Sequence, residues 1–152
     1  MRKYEFTGET KNYLGVTLHR IKSLIDFGNV KSGEIGGWIE KEENLSHYGN
    51  AWVSGDARVY GNALVYGNAQ VAAKECIFWI GAIGSRNGTT TFFNCKDGKI
   101  RVSCGCFYGD LDEFLEAVNK THGDNEYGQV YRIAIEMAKK RIHTVREEVK
   151  ND

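Results

Sequence analysis

The chain has no proline, no excess of either charge, no long apolar run and no paired metal-ligand motif. Each lack excludes something. Lys+Arg and Asp+Glu both number 20, so overall charge favours neither nucleic acid nor an anionic membrane as partner. The longest apolar run, Cys76 to Ile83, is strand-sized and too short to cross a bilayer. The N-terminus reads without a charged-then-apolar leader, and the expectation is a cytoplasmic protein. Four cysteines without such a leader point to free thiols. Cys104-Gly105-Cys106 would set two thiols on one strand face. Zinc needs two more ligands, and neither Cys-x-x-Cys nor His-x-x-x-His occurs. Cys76, Cys95 and His122 could join only through folding, so the thiols read as structural and no metal or cofactor is expected.

Glycine, by contrast, occurs 18 times and with a pattern. From Gly49 the chain reads GNAWVS, GDARVY, GNALVY, GNAQVA, a period of six. Each unit puts Ala two residues before Val: Ala51/Val53, Ala57/Val59, Ala63/Val65, Ala69/Val71. Such periodicity outranks local propensity. It predicts a parallel β-helix of short strands, Ala and Val inward and Gly at the corners, where φ is positive. A β-meander with turns this close would have strands too short to pair well.

The repeat resembles the left-handed β-helix of hexapeptide-repeat proteins. With Ile25-Asp26-Phe27, Gly36-Gly37-Trp38-Ile39 and Leu45-Ser46, the first half is similar to small phage and prophage proteins described as hexapeptide or transferase-like. That resemblance implies a fold and says little of function. It also implies a role in the host cytoplasm, either sequestering a nucleotide-like signal or blocking a host defence protein.

Four Val side chains cannot offset the ordering of a lone coil. A cap is expected from a hairpin around Gly8-Glu9-Thr10, and further support from other subunits. The expected assembly is a homo-oligomer, most simply a trimer, with Trp52, Tyr60 and Tyr66 outward at the interface.

Composition shifts near Lys74-Glu75, dividing the chain into 1–74, cap and repeat, and 75–152. In the second part, 76–83, Thr89–Asn94 and Ile100–Phe107 read as three strands, with an Asp97-Gly98 hairpin turn. Asp110 and Glu113 form a capping box for a first helix that Gly123 closes. A second helix follows from Asn125 to about Glu148, its apolar positions including Tyr131, Ala134, Met137 and Val145. The expected class is therefore mixed: a short left-handed parallel β-helix, then a three-stranded antiparallel sheet with two helices. This second module also resembles a piece found in phage-encoded hypothetical proteins.

No enzyme motif stands out. Gly81 to Gly88 is a glycine-rich turn but neither a Walker loop nor a dinucleotide fingerprint. Arg86 there could bind an anion. If the strands pair in register, Ser85, Arg86, Asn87, Thr91, Arg101 and Ser103 would form a cationic, hydroxyl-rich patch for a nucleotide-like ligand. Phe92, Tyr108 and Tyr131 would then be at hand for stacking. His122-Gly123-Asp124-Asn125 reads as a helix cap followed by the next. The reading adopted is a non-enzymatic binding protein without cofactor. The alternatives are a hexapeptide-repeat acyltransferase, for which His47 stands just before the repeat, and a structural component of phage assembly.

Overall fold

A computed structural model of the chain describes residues 2–142. Two compact units form, Met1–Lys74 and Glu75–Asp152. Among the described residues no helix is long and apolar enough to cross a membrane.

The N-terminal unit begins with a hairpin of β1 (Tyr4–Tyr13) and β2 (Val16–Ser23). Its turn is Leu14-Gly15, both at positive φ (52° and 84°), with Tyr13 opposite Val16. The expected turn at Gly8-Glu9-Thr10 is instead a bulge: the register jumps between Phe6 and Thr10, with Gly8 at φ 98°. A glycine suits a bulge as well as a turn, and the paired stretch beyond it decided between them.

β3 (Ile35–Ile39) pairs antiparallel with β2 and parallel with β5 (Arg58–Val59), giving a sheet of order β1-β2-β3-β5. Gly36-Gly37 lets β3 approach the repeat. A Cβ at Gly36 would come within 2.6 Å of the Trp52 ring, and one at Gly37 within 2.9 Å of the Ala57 carbonyl. β4 (Trp52–Val53) and β6 (Gln70–Val71) form a separate two-stranded parallel sheet.

The expected left-handed β-helix is therefore not the architecture. Repeat residues are shared between two open sheets, and the third repeat contributes a single bridge, Val65 to Leu45. Of the two-residue strands, β5 joins the sheet of the non-repetitive β3 and its hairpin, while β4 and β6 pair only with each other. The inward set does match the period: Ala51, Val53, Ala57, Val59, Ala63, Val65, Ala69 and Val71 are all buried. Trp52, expected to face outward, is buried as well and meets the Phe27 ring edge-on at 5.3 Å.

The C-terminal unit holds β7 (Ile77–Ile83), β8 (Gly88–Asn94), β9 (Ile100–Cys104) and β10 (Phe107–Asp110), antiparallel in the order β10-β9-β8-β7. The sheet thus has four strands rather than three. The run Ile100–Phe107 breaks at Gly105 (φ 59°), where Cys104 pairs with Phe107 across a two-residue turn. Cys104 and Cys106 accordingly do not share a strand face; the first is half-buried, the second exposed.

α1 (Leu111–His122) starts with the expected capping box: Asp110 accepts from Glu113 N–H, and Glu113 accepts from Asp110 N–H, both at 2.9 Å. Gly123 closes it at φ 58°, and Asn125 caps α2 (Glu126–Arg141) by accepting from Gly128 N–H. The expected extension of α2 through Val145 to Glu148 lies outside the described residues. Phe92 and Val102 of the sheet pack with Phe114, Val118, Tyr131, Ile135 and Ala138 of the helices. Phe114 is the hub, in ring contact with Phe92, Phe107 and Tyr131.

Candidate functional site

The N-terminal unit carries a cleft of about 460 Å³ beside the chain 42–48. A 3-10 turn over Glu42–Asn44 starts that segment. Asn44 is fully buried; its amide donates to the Ala63 carbonyl (2.9 Å) and the Gly61 carbonyl (3.1 Å), tying the turn to the third repeat. Tyr4 fixes the segment from the other side. Its hydroxyl donates to the Leu45 carbonyl at 2.6 Å, and burial keeps it protonated, its pKa above the usual tyrosine value.

His47 lies flat on Tyr4, ring centroids 4.1 Å apart. Its Nδ1 accepts the main-chain N–H of Lys3 at 3.0 Å, so the ring proton belongs on Nε2. Nε2 in turn faces Glu42 Oε1 at 2.9 Å, and the Arg2 guanidinium meets the same oxygen at 3.0 Å. The His47 hydrogen bond, more than Arg2, holds the Glu42 carboxyl below its ordinary pKa. Leu45, Leu64, Val65 and Tyr66 supply the apolar side of the cleft, and Tyr48 stands 80% exposed at its rim. The arrangement offers two donors, one carboxylate and an apolar wall. It offers no free imidazole lone pair, because that of Nδ1 accepts the Lys3 N–H and Nε2 carries the proton.

The residues marked out in sequence for ligand binding are not gathered in one place. Ser85, Arg86 and Asn87 lie exposed in the β7–β8 turn, with Asn87 at φ 55°. Arg101 pairs with Phe93 near the other end of β8, on the order of 17 Å from that turn at about 3.3 Å per residue. It is also engaged, donating to both oxygens of Asp97 at 2.9 Å. Thr91 and Ser103 are direct cross-strand partners, as the face argument required, but are 1% and 2% exposed. Phe92 of β8 and Tyr131 of α2 sit in the core between sheet and helices, leaving Tyr108 the more exposed ring. Of the aromatics marked for subunit contact, Trp52 is internal, Tyr60 packs edge-on to Tyr13 at 5.8 Å, and Tyr66 lines the cleft.

The cleft itself was not marked out. His47 had been noticed alone, as a possible base. Its main-chain partner Lys3 lies 44 positions earlier, the Arg2 that shares Glu42 with it also lies far upstream, and no local spacing announces either.

No family model matches the chain. A stretch of 61 residues is 34% identical to the uncharacterized acetyltransferase YdcK of Escherichia coli strain K12. The match covers 35% of this chain and 19% of that protein, so the similarity is partial on both sides.

Proposed function

We propose that this protein binds an acyl donor in the cleft beside His47 and takes part in acetyl transfer. The observation that carries the reading is the partial identity to a protein described as an acetyltransferase. The cleft adds chemistry that suits it. Leu64 and Tyr66, over the buried Leu45 and Val65, offer apolar surface to a thioester arm, and the Arg2 side chain, 56% exposed, can meet a phosphate or carboxylate. The Nε2 proton of His47, released from Glu42, can hold the thioester oxygen as negative charge builds on it.

His47 cannot take a proton while Lys3 N–H occupies Nδ1, which favours a neutral amine as acceptor. The amine adds to the carbonyl carbon, the carbon–sulfur bond breaks, and the proton shed by nitrogen is the one the leaving thiolate takes up. Net transfer to an amine thus needs no protein base. Calorimetric titration with acetyl-coenzyme A tests the placement. Saturable heat that disappears in Leu64→Glu supports it; a wild-type protein that releases no heat with this donor at millimolar concentration contradicts it.

A second reading, sequestration of a nucleotide-like ligand without chemistry, is favoured by one observation: both nitrogens of His47 are already engaged. Binding of the donor with no loss of thioester in the presence of amines would favour that reading.

A further inference from the structure

Helix α2 buries Tyr131, Ala134, Ile135 and Ala138, and turns its opposite face outward. On that outer face Ile133 is 61% exposed and Met137 44%. One turn apart, they make an apolar strip where a solvated helix would carry polar groups. Glu126 lies seven residues before Ile133 and Lys140 seven after it. Seven residues fall within about 20° of two full turns, so all three occupy one stripe, acid at one end and base at the other. Gln129 fills the remaining place on the stripe. The neighbouring charges are already engaged: Glu136 with Lys139 at 3.2 Å, and Arg132 with Asn119 at 2.8 Å.

We propose that this face pairs with the same face of a second copy of the chain, antiparallel, about a two-fold axis near Ile133. The charges decide the orientation. Antiparallel pairing centred on Ile133 sets each Glu126 against the Lys140 of the other copy, twice by symmetry. Parallel pairing would set like charge on like. The same centring puts Met137 opposite Gln129 of the other copy, whose methylenes can cover the thioether, and places Ile133 on its own image. The contact extends over about 21 Å of helix at 1.5 Å per residue. A single helix pair lies at the small end of interfaces, so the dimer should be reversible, with Kd on the order of micromolar. The proposal is independent of acyl transfer and stands or falls without it.

Sedimentation of the full chain over a wide concentration range tests it. Wild type should show a monomer–dimer equilibrium. Ile133→Lys should weaken it more than about tenfold, and Glu126→Lys or Lys140→Glu alone by roughly three- to tenfold. The double variant Glu126→Lys, Lys140→Glu should return to within about twofold of wild type, because the complementarity is restored with its sign exchanged. All three positions are exposed, so melting temperatures should stay near wild type and report that the fold is kept. A monomer at every concentration, a trimer, or a dimer indifferent to these changes would overturn the proposal. So would a double variant no better than the single ones.

Discussion

The Lys3 ammonium lies 2.6 Å from the Ala51 carbonyl oxygen, with the residue 1% exposed. The Gly49 carbonyl is at 3.4 Å and the Phe27 ring centroid at 4.7 Å. Carbonyl dipoles and a ring face solvate the charge only in part, and burial brings its pKa down to about 8. The unfolded chain then binds the proton more tightly than the folded one. The penalty is fully present below about pH 8 and is relieved as pH rises towards about 10.5. Its full size is on the order of 3 kcal/mol. Urea unfolding of wild type and Lys3→Met at about pH 7 and about pH 10 should show wild type gaining on the variant at the higher pH. A stability difference that does not change with pH would contradict the account.

Arg101 acts as a clamp on its own hairpin. Its two bonds to Asp97 hold that carboxyl down to about 2, so the pair stabilises the fold above about pH 4 and loses its effect as pH falls towards 2. Asp97 is 42% exposed, which limits the gain to roughly 0.5–1 kcal/mol. Arg101→Ala should lower the melting temperature by a few degrees at neutral pH, and less near pH 2. Arg86→Ala, on an exposed turn, should leave it unchanged. Equal melting temperatures for wild type and Arg101→Ala would remove the clamp.

Gly61 has φ 62°, a conformation that a β-branched residue adopts only under strain. Gly61→Val should cost more than about 1–2 kcal/mol in thermal or urea unfolding. Gly88→Ala is the matched control, since a Cβ there meets nothing within 4 Å and φ is not positive. Equal losses in the two variants would mean that the backbone at Gly61 does not require glycine.

The features legible in sequence are those decided within a few residues. The Ala and Val positions follow from the period, and Asp110, Glu113, Gly123 and Asn125 mark helix ends by side-chain bonds to adjacent backbone. The misread features were decided by pairing at a distance. Gly8 and Leu14-Gly15 compete for one turn, and only the full register of β1 against β2 separates them. The split of Ile100–Phe107 into two strands turns on Gly105 alone. β3 supplies the repeat with its neighbour although nothing in its sequence repeats. At the sites, alternation put Thr91 and Ser103 each on a strand face, and the register pairs them, but in the buried interior. The Asp97 partner of Arg101, four residues away, was overlooked, and the Arg2–Glu42–His47 group exists only once the N-terminal hairpin is in place.

The central claim is that the cleft beside His47 takes part in acetyl transfer to an amine. The most direct measurement follows release of free coenzyme A from acetyl-coenzyme A, with a panel of primary amines, for wild type and Leu64→Glu side by side. The account requires amine-dependent release by wild type, matched by acetylated amine in the mass spectrum, and its loss in Leu64→Glu without a change in melting temperature. Release no faster than in protein-free buffer for every amine, or equal release by the two proteins, would contradict it.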